Sequence, residues 1–171
     1  MQGPFLAPVR SATFDCAQLN RGHKLPGMPG DLRLKRQVCF ALYSASRAVT
    51  GFYRPLLEPL GLTYPQYLVL LVLWERGECS VKDLGAELML DSGTLSPLLK
   101  RLENADLLTR RRDPADERSV LVHLTRRGDE LRHKAAAVPM NVAAASGLPP
   151  RELAELRDTL TALTQSMLAA H

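Results

Sequence analysis

Mainly α-helical with one small β-hairpin is the fold class this sequence predicts, and three observations carry it. Apolar residues recur at spacings of three and four through most of the chain after residue 30. One stretch, Ser119-Val120-Leu121-Val122-His123-Leu124, alternates instead and is rich in β-branched residues. Just before the hairpin region, two short helical stretches stand only a few residues apart. A tight helix pair followed by a hairpin reads as a winged helix-turn-helix, flanked here by a longer helical region.

Residues 1–30 contain Pro4, Pro8, Pro26 and Pro29, scattered glycines and no sustained period, so a disordered extension is expected there, with Met28 a second candidate start and Cys16 an incidental thiol. From Asp31, a candidate cap, a long helix carries Leu34, Val38, Leu42, Ala45, Val49 and Phe52 on one face. Pro55 is expected to kink its last turns before Gly61, which can take a left-handed conformation. Thr63 caps the next helix, Pro65 sits where a missing N–H costs nothing, and Tyr67, Leu68, Leu71 and Trp74 form its expected apolar face up to Gly77.

The helix pair begins at Ser80, an N-cap candidate, with Asp83 in the first turn and Val81, Leu84 and Leu88 at helical spacing. Met89, Leu90 and Asp91 leave room only for a turn. Asp91 or Ser92 then caps a second helix with the stripe Leu95, Leu98, Leu99, Leu102. That helix leaves Ser92, Thr94, Ser96, Lys100 and Arg101 outward, short hydroxyls followed by cations, which suit base edges and phosphates. Double-stranded DNA is therefore the first partner to consider. The strand Thr109-Arg110-Arg111-Arg112, whose Arg110 is a further expected DNA contact, and the alternating strand bracket the wing loop 113–118. Within it, Asp116 is expected to hold Arg118 by an ion pair, leaving a guanidinium at a tip slender enough for the roughly 6 Å wide minor groove. A solvated turn is the plainer reading of the same charges.

After the wing, Thr125 opens a helix expected to pass Pro139 and reach Ala145, before Gly147, Pro149 and Pro150 break it. The last helix, 151–169, carries Leu153, Leu156, Leu160, Leu163 and Met167, a narrow stripe suited to helix pairing. The organisation expected is thus 80–124 for the winged element, with 31–79 and 125–171 as a helical dimerisation region. The alternative is that these stripes pack within one chain.

Composition bounds the partners. A chain of 171 residues, 46% hydrophobic, can bury one core, and its +4 formal charge permits nucleic acid without demanding it. The positive field is local: residues 100–112 hold five cations and two carboxylates, whereas residues 129–171 hold four cations and five carboxylates. No run of eighteen apolar residues and no apolar leader occurs, so a cytoplasmic protein with no membrane partner is expected. Cys16, Cys39 and Cys79 form neither a CxxC pair nor a disulfide-scaffold pattern, so no structural metal and no cofactor is expected.

The segment Asp116 to Gly128, DERSVLVHLTRRG, resembles the DxRSVxVxLTxxG signature of the MarR family of bacterial regulators, dimers that bind pseudo-palindromic operators. Upstream, Gln37-Val-Cys39-Phe-Ala-Leu-Tyr43 and Leu62-Thr-Tyr64-Pro-Gln-Tyr67 are similar to the OhrR-like, organic hydroperoxide-sensing branch of that family. The resemblance covers about residues 34–168.

Cys39 is the residue with chemistry. A free cysteine is usually a small buried hydrophobe. Here Tyr43 stands one helical turn on, and a phenol at i+4 can donate to a thiolate, the form that attacks a peroxide oxygen. Tyr53 lies fourteen residues from Cys39, about 320° around a helix but roughly 21 Å along it, out of reach within one chain. The resemblance implies that Tyr43 of the same chain, with Tyr53 and Tyr64 of the other subunit, supports the Cys39 thiolate. It also shows one departure: some relatives carry a second, resolving cysteine near 142–146, and here that segment reads Val-Ala-Ala-Ala-Ser. A one-cysteine sensor capped by a small cellular thiol is therefore expected.

The function expected is a redox-sensing repressor that leaves its operator when organic hydroperoxide oxidises Cys39. The alternative is a MarR-type regulator answering a small aromatic ligand, with Cys39 inert. An enzyme, namely a thiol peroxidase using Cys39 and Tyr43, is disfavoured because no second cysteine is placed to reduce the sulfenate.

Overall fold

A computed structural model describes residues 32–170. The expected extension at 1–30, Cys16, Met28 and the Asp31 cap lie outside the described residues. Contacts divide the chain between Leu42 and Tyr43, so the two parts are taken separately.

The part ending at Leu42 contributes a 3₁₀ turn, Leu34–Arg36, and the opening of helix α1, Val38–Leu57. Gln37 between them is extended (φ −86°, ψ 122°), so the helix begins at Val38 and not near Asp31, and Leu34 lies off its stripe. Arg33, Lys35 and Arg36 would crowd a longer helix's first turn with cations, at the end where the dipole disfavours them.

The larger part is organised around α2, Tyr64–Arg76. Pro55 sits inside α1, a 3₁₀ turn follows at Glu58–Leu60, and Gly61 takes a left-handed φ of 69°. The Gln66 side chain reaches back to the start of α2, where its Oε1 accepts from the Thr63 N–H at 2.8 Å. Helix α2 is buried on most of its circumference, through Tyr67, Val69, Leu70, Val72, Leu73 and Trp74. Leu71, expected in its apolar face, is 38% exposed. The physical reason is that α2 packs on several elements at once, which no single stripe describes.

Those elements are β1 (Glu78–Ser80), α3 (Val81–Leu88), α4 (Ser92–Asn104), β3 (Val120–Leu124) and α5 (Arg126–Ala135), while β2 (Leu108–Arg112) packs on β3 and α4. Ser80 Oγ caps α3 by accepting from the Asp83 N–H at 3.0 Å, and Asp91 Oδ1 caps α4 by accepting from Thr94 at 2.8 Å. Between the helices Met89 is left-handed (φ 53°), and the Leu90 N–H returns to the Gly85 carbonyl. A Cβ at Gly85 would stand 2.9 Å from the Leu90 oxygen, so the turn needs a glycine there.

The sheet is antiparallel in the order β1-β3-β2, with Arg112 opposite Val120 at the hairpin end and Cys79 opposite Val122. The strand β1 has too few residues to show a period of two and was not expected. Glu78 on it accepts from Arg111 on β2 at 3.0 Å and lies 2.6 Å from His123 on β3, so one carboxylate spans three strands.

Thr125 caps α5, its Oγ1 accepting from the Gly128 N–H at 3.0 Å. The single helix expected from Thr125 to Ala145 is two, α5 and α6 (Val138–Ser146). Pro139 lacks the N–H that would bond the Ala135 carbonyl and its ring would strike that carbonyl, so α5 ends there. The last helix, α7, spans Pro150–Ala169 and has no buried residue. On α1, Val49 and Phe52 are likewise exposed, as are Leu156 and Leu160 on α7. These apolar stripes are uncovered within one chain.

Candidate redox site and nucleic-acid interface

Cys39 is the second residue of α1 and its thiol is exposed. In the larger part, Tyr43 is exposed, with the Arg47 guanidinium 5.6 Å over its ring and Arg47 Nη1 3.4 Å from its hydroxyl. Arg47 carries a cation to this phenol and was not singled out from sequence.

Tyr53 and Tyr64 come together. Their ring centroids are 4.5 Å apart, and Tyr67 lies 5.9 Å from Tyr53 with Trp74 edge-on behind it at 6.1 Å. Pro55, the 3₁₀ turn and Gly61 turn the chain between α1 and α2, which is how two residues eleven apart in sequence meet. Burial pushes the Tyr53, Tyr64 and Tyr67 phenols above their ordinary range, with the neighbouring phenols adding to it for Tyr53 and Tyr67. Like any phenol at neutral pH, all three are O–H donors, and burial moves them further from ionisation. What this cluster can do is donate hydrogen bonds to an anion at its edge.

Cys79 is 8% exposed, and burial pushes its thiol up against an opposing pull from Arg76. Burial thus disfavours its thiolate, the reactive form.

The other face is set by α4. Leu95, Leu99 and Leu102 bury one side, with Leu98 half-buried, and Ser92, Thr94, Ser96, Lys100 and Arg101 all lie exposed on the other. The Thr94 hydroxyl is engaged, donating to Asp91 Oδ2 at 3.0 Å. Hydrogen bonds from Thr94 hold the Asp91 carboxyl below the usual carboxylate range.

At the wing, Arg118 is exposed, but the expected ion pair is not what holds it. Asp116 Oδ1 accepts from the backbone N–H of Arg118 at 3.0 Å, and its carbonyl accepts from the Ser119 N–H at 2.8 Å. Among the described residues no ion pair joins the two side chains. A carboxylate two residues upstream closes an Asx turn more readily than it bends a long side chain back on itself, so the loop is fixed and the guanidinium left outward. Arg110, expected to face DNA, is gripped by Glu103 on α4, with Nη2 2.6 Å from Oε2. Glu103 has no pattern signal of its own; only the approach of α4 to β2 reveals it.

The pattern of the family described as transcriptional regulator SarA/Rot matches residues 51–135. The chain is 46% identical over 136 residues to the organic hydroperoxide resistance transcriptional regulator of Bacillus subtilis (strain 168), covering 80% of this chain and 92% of that protein. It is similar to reduced AbfR bound to DNA at 34% identity, with a TM-score of 0.67, over 80% of this chain and 95% of that one. Overoxidised AbfR bound to DNA gives 38% identity and a TM-score of 0.61 over 77% and 96% of the two chains; AbfR is a protein of Staphylococcus epidermidis.

Proposed function

This chain belongs to the MarR family of DNA-binding transcriptional regulators, and from that premise we propose that it is a repressor whose Cys39 senses organic hydroperoxides. The observation that carries the reading is the Tyr53–Tyr64 pair, two phenolic O–H donors whose ring centroids the α1–α2 turn places 4.5 Å apart. Cys39 is separated from Tyr53 by fourteen residues, roughly 21 Å of helix, so the donors reach the thiolate from the partner of a homodimer. The uncovered stripes of α1 and α7 are the surface that such a dimer covers.

The chemistry balances in two steps. The Cys39 thiolate attacks the terminal peroxide oxygen, the O–O bond breaks, and the alkoxide leaves as the alcohol after taking a proton, giving a sulfenic acid. A small cellular thiol then displaces water from the sulfenic sulfur and forms a mixed disulfide. Overoxidised AbfR is known in a structure bound to DNA, which favours the mixed disulfide as the species that leaves the operator here. To shift a complex from mostly bound to mostly free, that group must disfavour binding by roughly 3–5 kcal/mol, within reach of a misplaced group in a packed interface. The chain consumes one peroxide per Cys39 and is a sensor, not an enzyme.

DNA is met by α4 in the major groove, through Ser92, Ser96, Lys100 and Arg101, and by Arg118 of the wing in the minor groove. Thr94 contributes by completing the α4 cap. The dimer reads a pseudo-palindromic operator and works in the cytoplasm, where that DNA is. Among the described residues no single helix is long and apolar enough to cross a membrane.

The test is operator release. Peroxide with a small thiol should release the wild-type protein fully and reversibly by dithiothreitol, while Cys39→Ser should stay bound. Release of Cys39→Ser by peroxide defeats the reading.

A further inference from the structure

One carboxylate holds the junction between α4 and β2. Glu103 accepts from Arg110 at three points: Nη2 at 2.6 Å and Nε at 3.1 Å on Oε2, and the backbone N–H at 3.2 Å on Oε1. The Glu103 and Arg110 side chains are 34% and 33% exposed, so the pair is held at the surface and partly open to solvent. A guanidinium carries five N–H donors in a fixed plane. Glu103 takes two, and among the described residues no other group accepts from the rest.

Arg110 also borders a shallow cleft, wide open to solvent, whose other lining residues are Ser92, Gly93, Ser96, Pro97 and Lys100. Two cations and two hydroxyls therefore line it. It lies between α4, the helix assigned to the major groove, and β2, the strand that leads into the wing, a place suited to the phosphates that separate the grooves.

We infer that Glu103 is a positioning residue for DNA recognition: it holds the Arg110 guanidinium in this cleft so that the unused N–H groups meet a backbone phosphate at one fixed place, setting the register of α4 and the wing. A free arginine finds a phosphate on any duplex at any angle. An arginine braced by a carboxylate is oriented before DNA arrives, and the carboxylate repels phosphates that approach by other routes. Glu103 thus supplies discrimination and not raw attraction. Arg110 holds its carboxyl below the usual range, so the brace is ionised at neutral pH. The inference rests on the reading of the α4 and wing face as the DNA surface.

The experiment measures binding of the full chain to a duplex selected from a random pool by the wild-type protein, and to a random duplex of equal length, across salt concentrations. Glu103→Ala should lower the ratio of selected to random affinity by about five- to twentyfold, with random binding unchanged or tighter, and Glu103→Gln should lower it less. In an Arg110→Ala background, Glu103→Ala should change the ratio by less than about twofold. An unchanged ratio, a loss that persists without Arg110, or parallel losses on both duplexes with a matching fall in Tm would each overturn the inference, the last by making Glu103 a structural brace only. If Arg118→Ala weakens binding and Arg110→Ala does not, the DNA face stands and this inference falls alone. If neither weakens it, both fall.

Discussion

Trp74 Nε1 donates a buried hydrogen bond of 2.9 Å to the carbonyl of Gly128, across fifty-four residues of sequence. This ties the central helix α2 to the first turn of α5. At the same place a Cβ on Gly128 would stand 1.9 Å from the Leu107 carbonyl oxygen, so the helix can approach the strand only because the residue is glycine.

Trp74→Phe should therefore destabilise the fold by about 1–3 kcal/mol, because the Gly128 carbonyl loses a partner in a buried place. Gly128→Ala should cost more than Trp74→Phe, since a backbone oxygen and not a flexible side chain blocks the methyl group. Chemical denaturation of both variants checks the order; a milder effect of Gly128→Ala contradicts the packing.

Arg118→Ala should weaken binding to all duplexes by roughly 1–3 kcal/mol and reduce the salt slope by about one. Asp116→Ala removes the acceptor of the Arg118 N–H and should loosen the tip while leaving the guanidinium in place. Its loss of affinity should be smaller, with the slope unchanged. A slope that moves with Asp116→Ala and not with Arg118→Ala would reverse the two roles.

Tyr53→Phe should slow oxidation of Cys39 by removing one donor to the thiolate, while operator affinity of the reduced protein stays within about twofold. Stopped-flow sulfenic acid trapping measures the rate. Equal oxidation rates in Tyr53→Phe and wild type would detach the tyrosine pair from the cysteine.

Cys79 should resist peroxide and alkylating reagents until the protein unfolds, since burial both raises its thiol and shields it. Mass spectrometry of peroxide-treated protein should find oxidation at Cys39. Release that requires Cys79 would give it the resolving role.

Stability should fall on the acid side through Glu103. Its carboxyl is depressed in the folded state, chiefly by the hydrogen bond from Arg110, so its contribution is present above the unfolded value and is lost as pH falls through the folded one. Glu103→Gln should flatten the loss of Tm below about pH 4.3 relative to wild type. Identical acid limbs would show that Glu103 is not linked to folding.

Local architecture was readable from the residues alone. The caps at Ser80, Asp91 and Thr125, the left-handed Gly61, and the hairpin bracketing Asp113 to Arg118 were all legible, because each depends on a few neighbouring residues. Tertiary structure decided the rest. The strand β1 exists only because β3 offers Glu78 to Ser80 a partner, and Leu71 is exposed because α2 is covered from directions that its own period does not encode. Asp116 took a backbone N–H where a side-chain pair was expected, since a short turn satisfies the nearer donor first. The tyrosine pair and the Glu103 grip on Arg110 are contacts between elements, and spacing along one helix or strand carries no information about what another brings beside it.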